Sequence, residues 1–347
     1  MPYFISRVQP GDKRTLSQID ALLKQEGIER DANLDYVAAM FDDDYRVVGT
    51  GSCFGNTLRC FAVDSAHQGE GLLNEIVSHL IQMQCARGNL HLFLYTKPSA
   101  AKFFSDLGFY EIARVEGRLV FMENRRDGFA SYLRGLAKDR REDGVSAAVI
   151  MNANPFTLGH QYLAEQAAGA CDTLHLFVVS EDASLVPATV RRRLVEEGVA
   201  HLPNVVLHDC GPYIISSATF PSYFLKDRET VIESQARLDL AVFGRIAREL
   251  NITARYVGEE PASHVTGIYN RVMQEALPAL GVRCVVLPRR QADGCPISAS
   301  TVRQCLKQGD FEALRALVPA TTLAYFESGE AAPVLQRIRA AQDVVHY

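Results

Sequence analysis

A chain of 347 residues, 48% hydrophobic and 22% charged, has the composition of a folded globular protein and length enough for two domains of about 100–200 residues each. Its 36 Lys and Arg against 41 Asp and Glu give a net charge of -5, which excludes the broad basic field that a nucleic-acid partner selects. Eight cysteines without a C-x-x-C pair exclude a disulfide framework and a zinc site, and the absence of a secretory pattern or of about eighteen consecutive apolar residues makes a cytoplasmic protein without a membrane partner or a metal site the expectation.

In chain order, 45–54 and 58–63 predict two strands of a hairpin turned at Gly55-Asn56. A helix is predicted from Leu72 to Arg87, with Leu73, Ile76, Val77, Leu80 and Ile81 on one face, and a strand from Leu90 to Tyr95. Between Val63 and that helix runs Asp64-Ser65-Ala66-His67-Gln68-Gly69-Glu70-Gly71, a glycine turn at a helix start, where backbone amides can hold a pyrophosphate. Lys102-Phe103-Phe104-Ser105-Asp106-Leu107-Gly108-Phe109 follows later. Residues 1–125 therefore read as a mixed α+β domain. Charge and glycine concentrate over 126–144, while Tyr132, Leu133 and Leu136 keep helical spacing, so this linker is expected to be partly helical.

Residues 145–347 read as a second domain of α/β class. Apolar runs at 147–151, 174–179, 205–207, 255–257 and 284–287 alternate with helical patterns, which predicts a parallel sheet covered on both faces. Ligands of such sheets lie at the carboxyl ends of the strands. The first of these ends carries Asn152-Ala153-Asn154-Pro155-Phe156-Thr157-Leu158-Gly159-His160, with Tyr162, Leu163, Gln166 and Ala167 continuing as a helix. A helix start offers unpaired amides and partial positive charge to a triphosphate, Gly159 permits close approach, and His160 can touch the phosphate. Far downstream, Pro296-Ile297-Ser298-Ala299-Ser300-Thr301-Val302-Arg303 crowds hydroxyls and an Arg into another helix start, more hydroxyls than capping alone requires.

The first run resembles the T-x-G-H signature of nucleotidylyltransferases, and the second resembles the I-S-S-T-x-x-R element of the same superfamily. With Val178-Val179-Ser180-Glu181-Asp182, the segment Gly211 to Phe224 and Val257-Gly258-Glu259-Glu260-Pro261, the second half is similar throughout to citrate lyase ligases. The first half resembles that family's GNAT-like acyltransferase domain, through Gln68-Gly69-Glu70-Gly71 and Leu107-Gly108-Phe109, although Ala66 stands where the GNAT turn has Gln or Arg. The resemblance implies a Rossmann-like nucleotidylyltransferase domain behind a GNAT-like one.

It also implies an AMP-forming ligase using ATP with Mg2+, acetate, and the acyl carrier subunit of citrate lyase with its CoA-like prosthetic group. Acetate would attack the alpha-phosphate to give acetyl-adenylate, and the carrier thiol would then take the acetyl group. The residues implied at ATP are Asn152, Asn154, Phe156, Thr157, Gly159, His160, Arg191, Gly258, Glu259, Ile297, Ser298, Ser300, Thr301 and Arg303, with Thr157, His160 and Arg303 in the catalytic role. Asn152 stands where related adenylyltransferases often place Thr or Ser, and can donate through its amide. Arg191 reads as a phosphate partner or as a solvated helix position, and Glu259 as a ribose ligand or a structural carboxylate. Tyr213, Ser216, Ser217, Thr219 and Phe220 belong to a loop that closes over the small acid or merely covers the surface. Val63, Gln68, Gly69 and Gly71 would receive the carrier arm, against a purely structural first domain. Two other enzymes stay open at this point: the equivalent ligase for the malonate decarboxylase carrier, and an adenylyltransferase of phosphate monoesters. An active acetyltransferase with a nucleotide-sensing second half is the reading from another class.

Overall fold

The computed structural model describes residues 3–31, 33–180, 184–214, 220, 228–259, 264–342 and 344. The chain divides into two compact units, Met1–Phe129 with 221–234, and Ala130–Phe220 with Gln235–Tyr347.

In the first unit the order is β1 (Phe4–Arg7), α1 (Lys13–Gln25), β2 (Tyr36–Phe41), β3 (Val47–Phe54), β4 (Thr57–Val63), α2 (Leu72–Ala86), β5 (Phe93–Thr96), α3 (Pro98–Asp106), β6 (Tyr110–Val115) and β7 (Leu119–Glu123). The sheet order β1-β2-β3-β4-β5-β7-β6 is antiparallel except at β4 and β5, which run parallel. Successive strand residues point to opposite faces, so Ala38 and Met40 of β2 join Ile76, Val77 and Leu80 of α2, while Ala39 joins Ile19, Leu22 and Leu23 of α1. The expected hairpin forms β3 and β4, turned at Gly55-Asn56. The expected strand at Leu90 begins only at Phe93, because Asn56 and Asn124 claim the backbone of 91 and 92 from outside the ladder.

The second unit takes in most of α4 (Gly128–Leu136), the helical piece expected near the middle of the chain, and, of the long helix that starts at Arg228, only the part from Gln235. It then runs β8 (Ser146–Met151), α5 (Leu158–Ala168), β9 (Thr173–Val178), α6 (Ala188–Val199), β10 (Val205–Asp209), α7 (Arg228–Glu249), β11 (Ile252–Gly258), α8 (His264–Ala276), β12 (Arg283–Leu287), the two-residue strands β13 (Gln291–Ala292) and β14 (Cys295–Pro296), α9 (Ala299–Gln308), α10 (Phe311–Arg315), α11 (Ala320–Glu327) and α12 (Ala332–Ala340). All five long strands are parallel, in the order β10-β9-β8-β11-β12. The chain builds outward from β8 in one direction and returns past it to build in the other. That reversal puts the topological switch, where open parallel sheets form a ligand crevice, between the carboxyl ends of β8 and β11. Val149 and Met151 of β8, Phe156, Ala164 of α5, Tyr256 of β11 and Val302 and Leu306 of α9 share one core, so both predicted phosphate motifs are anchored to a single packed layer. No helix among the described residues is long and apolar enough to cross a membrane.

Candidate active site

Strand β8 ends at Met151, and Asn152 to Thr157 lead from its carboxyl edge into α5. Thr157 is the N-cap: its hydroxyl accepts from the His160 N–H at 3.3 Å, and its own N–H donates to Nδ1 of His160 at 3.1 Å. This reciprocal box closes two of the helix start's orphan donors, each such cap contributing about 1 kcal/mol. It also fixes the imidazole. A backbone N–H can only donate, so Nδ1 is the acceptor and Nε2 carries the proton, without a partner among the described residues. Withdrawal from water, and then the positive charge of Arg289, push the His160 pKa down to about 4, so at neutral pH the ring is an uncharged donor. Phe156, fully buried, stacks against it at 5.8 Å between centroids.

The second motif meets the first directly. A Cβ on Gly159 would lie 3.3 Å from the Ile297 carbonyl oxygen, so the start of α5 sits close against the segment entering α9 and a larger residue would have to push it back by a few tenths of an ångström. The Gly159 N–H has no partner among the described residues, whereas the Leu158 N–H donates to the Leu317 carbonyl at 2.9 Å. At α9, Ser298 is the N-cap, accepting from the Thr301 N–H at 3.0 Å, with their hydroxyls 2.8 Å apart. Thr301 is exposed and Ser300 half-buried, while Ile297 contributes only its backbone, its side chain being buried.

Several side chains expected at phosphate are instead buried and hydrogen-bonded within the protein. Thr157 is buried and spent on its cap. Arg191 is 0% exposed: Nε donates to the Val186 carbonyl, and Nη1 to the Val179 carbonyl at 2.6 Å and to both oxygens of Asn152. Arg303 is 1% exposed and donates to the carbonyls of Asn154 and Val344, each at 2.6 Å, and to the Ser300 hydroxyl. Both guanidiniums therefore knit loops together; Arg303 in particular ties α9 to the turn after β8. Asn154, 2% exposed, accepts from the Val186 N–H, and its buried Nδ2 has no partner among the described residues.

Two further neighbours stand outside the residues expected at ATP. Arg289, just past β12, donates from Nε to the Glu259 carbonyl at 2.7 Å, and the Glu259 N–H donates to the Leu287 carbonyl. Glu259 is thus pinned by its main chain at the end of β11, with its side chain exposed, beside Gly258. Gly198 of α6 is the other: a Cβ there would lie 2.3 Å from the Phe156 ring. The first lies in the basic pair Arg289-Arg290, whose charge in sequence is compatible with a phosphate cation or with a solvated face; nothing in the sequence marks the second.

Of the expected acid-closing loop, Ser216, Ser217 and Thr219 lie outside the described residues. Tyr213 is 2% exposed, its ring 5.0 Å from that of Tyr132, and Phe220 is buried, so both pack inward rather than present themselves to a small acid. In the first unit, Val63 ends β4 and Gln68 follows a short 3-10 turn; Gly69 and Gly71 take positive φ of 88° and 82°, Gly71 as the N-cap of α2. Strand β4 pairs with β5 at Thr57 and Leu58 alone, so the two diverge toward that turn. There Tyr3 donates to Glu70 at 2.5 Å and lies 3.0 Å from Nδ1 of His67.

Residues 146–326 match the family described as citrate lyase ligase C-terminal domain. Over 331 residues the chain is 42% identical to the [citrate [pro-3S]-lyase] ligase of Klebsiella pneumoniae, a match covering 94% of this chain and 96% of the relative. The chain belongs to the citrate lyase ligase family. The enzymes of the same name from Haemophilus influenzae and Escherichia coli are 38% and 36% identical, covering 91% and 93% of this chain and 96% and 93% of those relatives. As a family member it is a ligase. Among solved structures, a GNAT-family acetyltransferase from Staphylococcus aureus covers 36% of this chain and 100% of its own at 19% identity and a TM-score of 0.30. The ribosomal-protein-S18-alanine N-acetyltransferase of Escherichia coli covers 35% and 92% at 18% identity and a TM-score of 0.28.

Proposed function

We propose that this family member activates acetate with ATP at the switch point of its parallel sheet and passes the acetyl group to the prosthetic-group thiol of the citrate lyase acyl carrier subunit. One acetate oxygen attacks the alpha-phosphorus as the bond to the pyrophosphate oxygen breaks; the thiol sulfur then attacks the acetyl carbon, AMP leaves and the thiol proton is released. The observation that carries the adenylation half is the meeting of two helix starts at the Gly159–Ile297 approach, with a neutral, donor-only His160 Nε2 beside it. Such a site needs no covalent nucleophile, since alignment and stabilisation of phosphate charge suffice.

Phosphate contacts fall to His160 Nε2, the Gly159 N–H, the Asn152 amide, the hydroxyls of Ser298, Ser300 and Thr301, and Arg289. Magnesium travels on the triphosphate oxygens, and Glu259 faces the ribose hydroxyls. Relatives named for citrate lyase favour its carrier over that of malonate decarboxylase. In the first unit the glycine turn before α2 and the divergence of β4 from β5 receive the carrier arm; the work is done in the cytoplasm.

The test is incubation of the purified protein with ATP, magnesium and labelled acetate, following AMP and pyrophosphate with and without deacetylated carrier. Acetate-dependent pyrophosphate release and carrier-dependent AMP are expected. ADP as product, or turnover indifferent to acetate, would refute the reading.

A further inference from the structure

We infer that Arg191 is a positioning residue for adenylation, acting through Asn152. This rests on the phosphate-site reading above and adds to it. Asn152 is the first residue beyond β8, exposed at the strand's carboxyl edge. A side-chain amide on an exposed strand end can point either its oxygen or its NH2 at a ligand, and the two orientations have opposite meaning for a phosphate: one repels it and the other donates to it.

The buried guanidinium removes that choice. Nη1 of Arg191 donates to Oδ1 of Asn152 at 2.7 Å and to its backbone carbonyl at 2.8 Å, while holding the Val179 carbonyl at 2.6 Å. A guanidinium has donors only, so the amide atom facing it must be the oxygen. Nδ2 is therefore turned away from Arg191, and it donates to the Ser184 hydroxyl at 3.2 Å. Arg191 itself cannot drift, because Nε is fixed on the Val186 carbonyl of its own helix approach and the residue has no exposed surface. The β8 end, the β9 end and the start of α6 thus converge on one cation that orients one outward donor. Val186 also donates its N–H to Oδ1 of Asn154, so the same short loop braces both asparagines of the turn.

Lysine in place of Arg191 keeps the charge but cannot reach these oxygens together, so it frees the amide to reverse. Serine in place of Asn152 carries one hydroxyl that both donates and accepts, and has no wrong orientation to be protected from. The experiment combines them, reading acetate-dependent ATP/pyrophosphate exchange. Arg191→Lys alone is expected to lower kcat at least tenfold with KM for ATP within about threefold, since one misdirected donor to transition-state charge costs up to about 10²–10³ in rate. In the Asn152→Ser background the same Arg191→Lys change is expected to cost less than threefold, a non-additivity that a purely structural Arg191 would not produce. Equal losses in both backgrounds overturn the positioning role while leaving the function intact. No exchange in the unsubstituted protein sinks both. Should Arg191→Lys lose its far-UV circular dichroism, the unsubstituted protein answers instead: the Asn152 side-chain amide signal, identified by its absence in Asn152→Ser, is expected to shift on adding ATP with magnesium, and an unmoved signal refutes the inference.

Discussion

His160 joins two jobs in one ring. Nδ1 closes the capping box of α5 and Nε2 offers the donor, so His160→Ala is expected to lower acetate-dependent exchange about 10²–10³-fold while costing only about 1 kcal/mol of stability. Exchange assays beside thermal unfolding check both; retained exchange would remove His160 from the phosphate site. The helix start at this turn was legible, because a capping Thr and a glycine follow directly on a buried strand. The directions of the side chains were not. Thr157, Arg191 and Arg303 lie at helix starts, where sequence spacing leaves inward and outward orientations equally open, and burial settled all three inward. Arg289 and Ser184 enter through contacts with residues 30 and 32 positions away, which no local pattern announces.

At the scale of elements, the parallel strands β8 to β12 were readable from their apolar runs, because β8 and β9 at the middle of the sheet are buried along nearly their whole length, although His175 in β9 and Arg255 in β11 are polar residues buried within such runs. The edge strands β1 and β6 of the first sheet were not, since their exposed residues break any alternation, and β1 has no fully buried residue at all. Helix α6 carries a finer constraint. Its Gly198 faces the Phe156 ring, and Gly198→Ala would drive a methyl group to 2.3 Å from a side chain with no room to retreat. Overpacking of this kind costs about 1–3 kcal/mol. Because Phe156 stacks on His160, the displaced ring should also disturb the phosphate turn. The expectation is a lowered thermal midpoint together with a raised KM for ATP; a lowered midpoint with unchanged KM would separate the packing of Phe156 from the site.

For the whole molecule, pH acts through buried neutral histidines and composition acts through two units. His175 and His208, on neighbouring strands β9 and β10, lie 2.9 Å apart. Burial first, then His208, pushes His175 down to about 4; burial first, with Arg192 adding to it and Asp139 and Asp209 opposing, lowers His208. With His160 they bind fewer protons folded than unfolded between the ordinary His pKa of about 6.5 and the folded values. Their stabilisation is therefore complete above about pH 6.5 and drains away as pH falls below it, for His160 and His175 down to about 4. Denaturant midpoints at pH 7.5, 6.0 and 5.0 should fall in that order, and His208→Phe should flatten the slope. In the first unit, Gly69 and Gly71 hold positive φ with open space at both Cβ positions. Gly69→Asp adds a negative charge beside the Glu70 carboxylate, at the helix start proposed to meet the carrier's phosphate-bearing arm. Gly69→Asn is the control, since Asn tolerates the left-handed conformation and is neutral. If the arm docks there, Gly69→Asp raises the carrier's apparent KM roughly fivefold, an order set by about 1 kcal/mol of repulsion at a helix terminus. Gly69→Asn should leave that KM within about threefold, and both variants should spare acetate-dependent exchange, which belongs to the second unit. A carrier KM indifferent to the charge would return the first unit to a structural role.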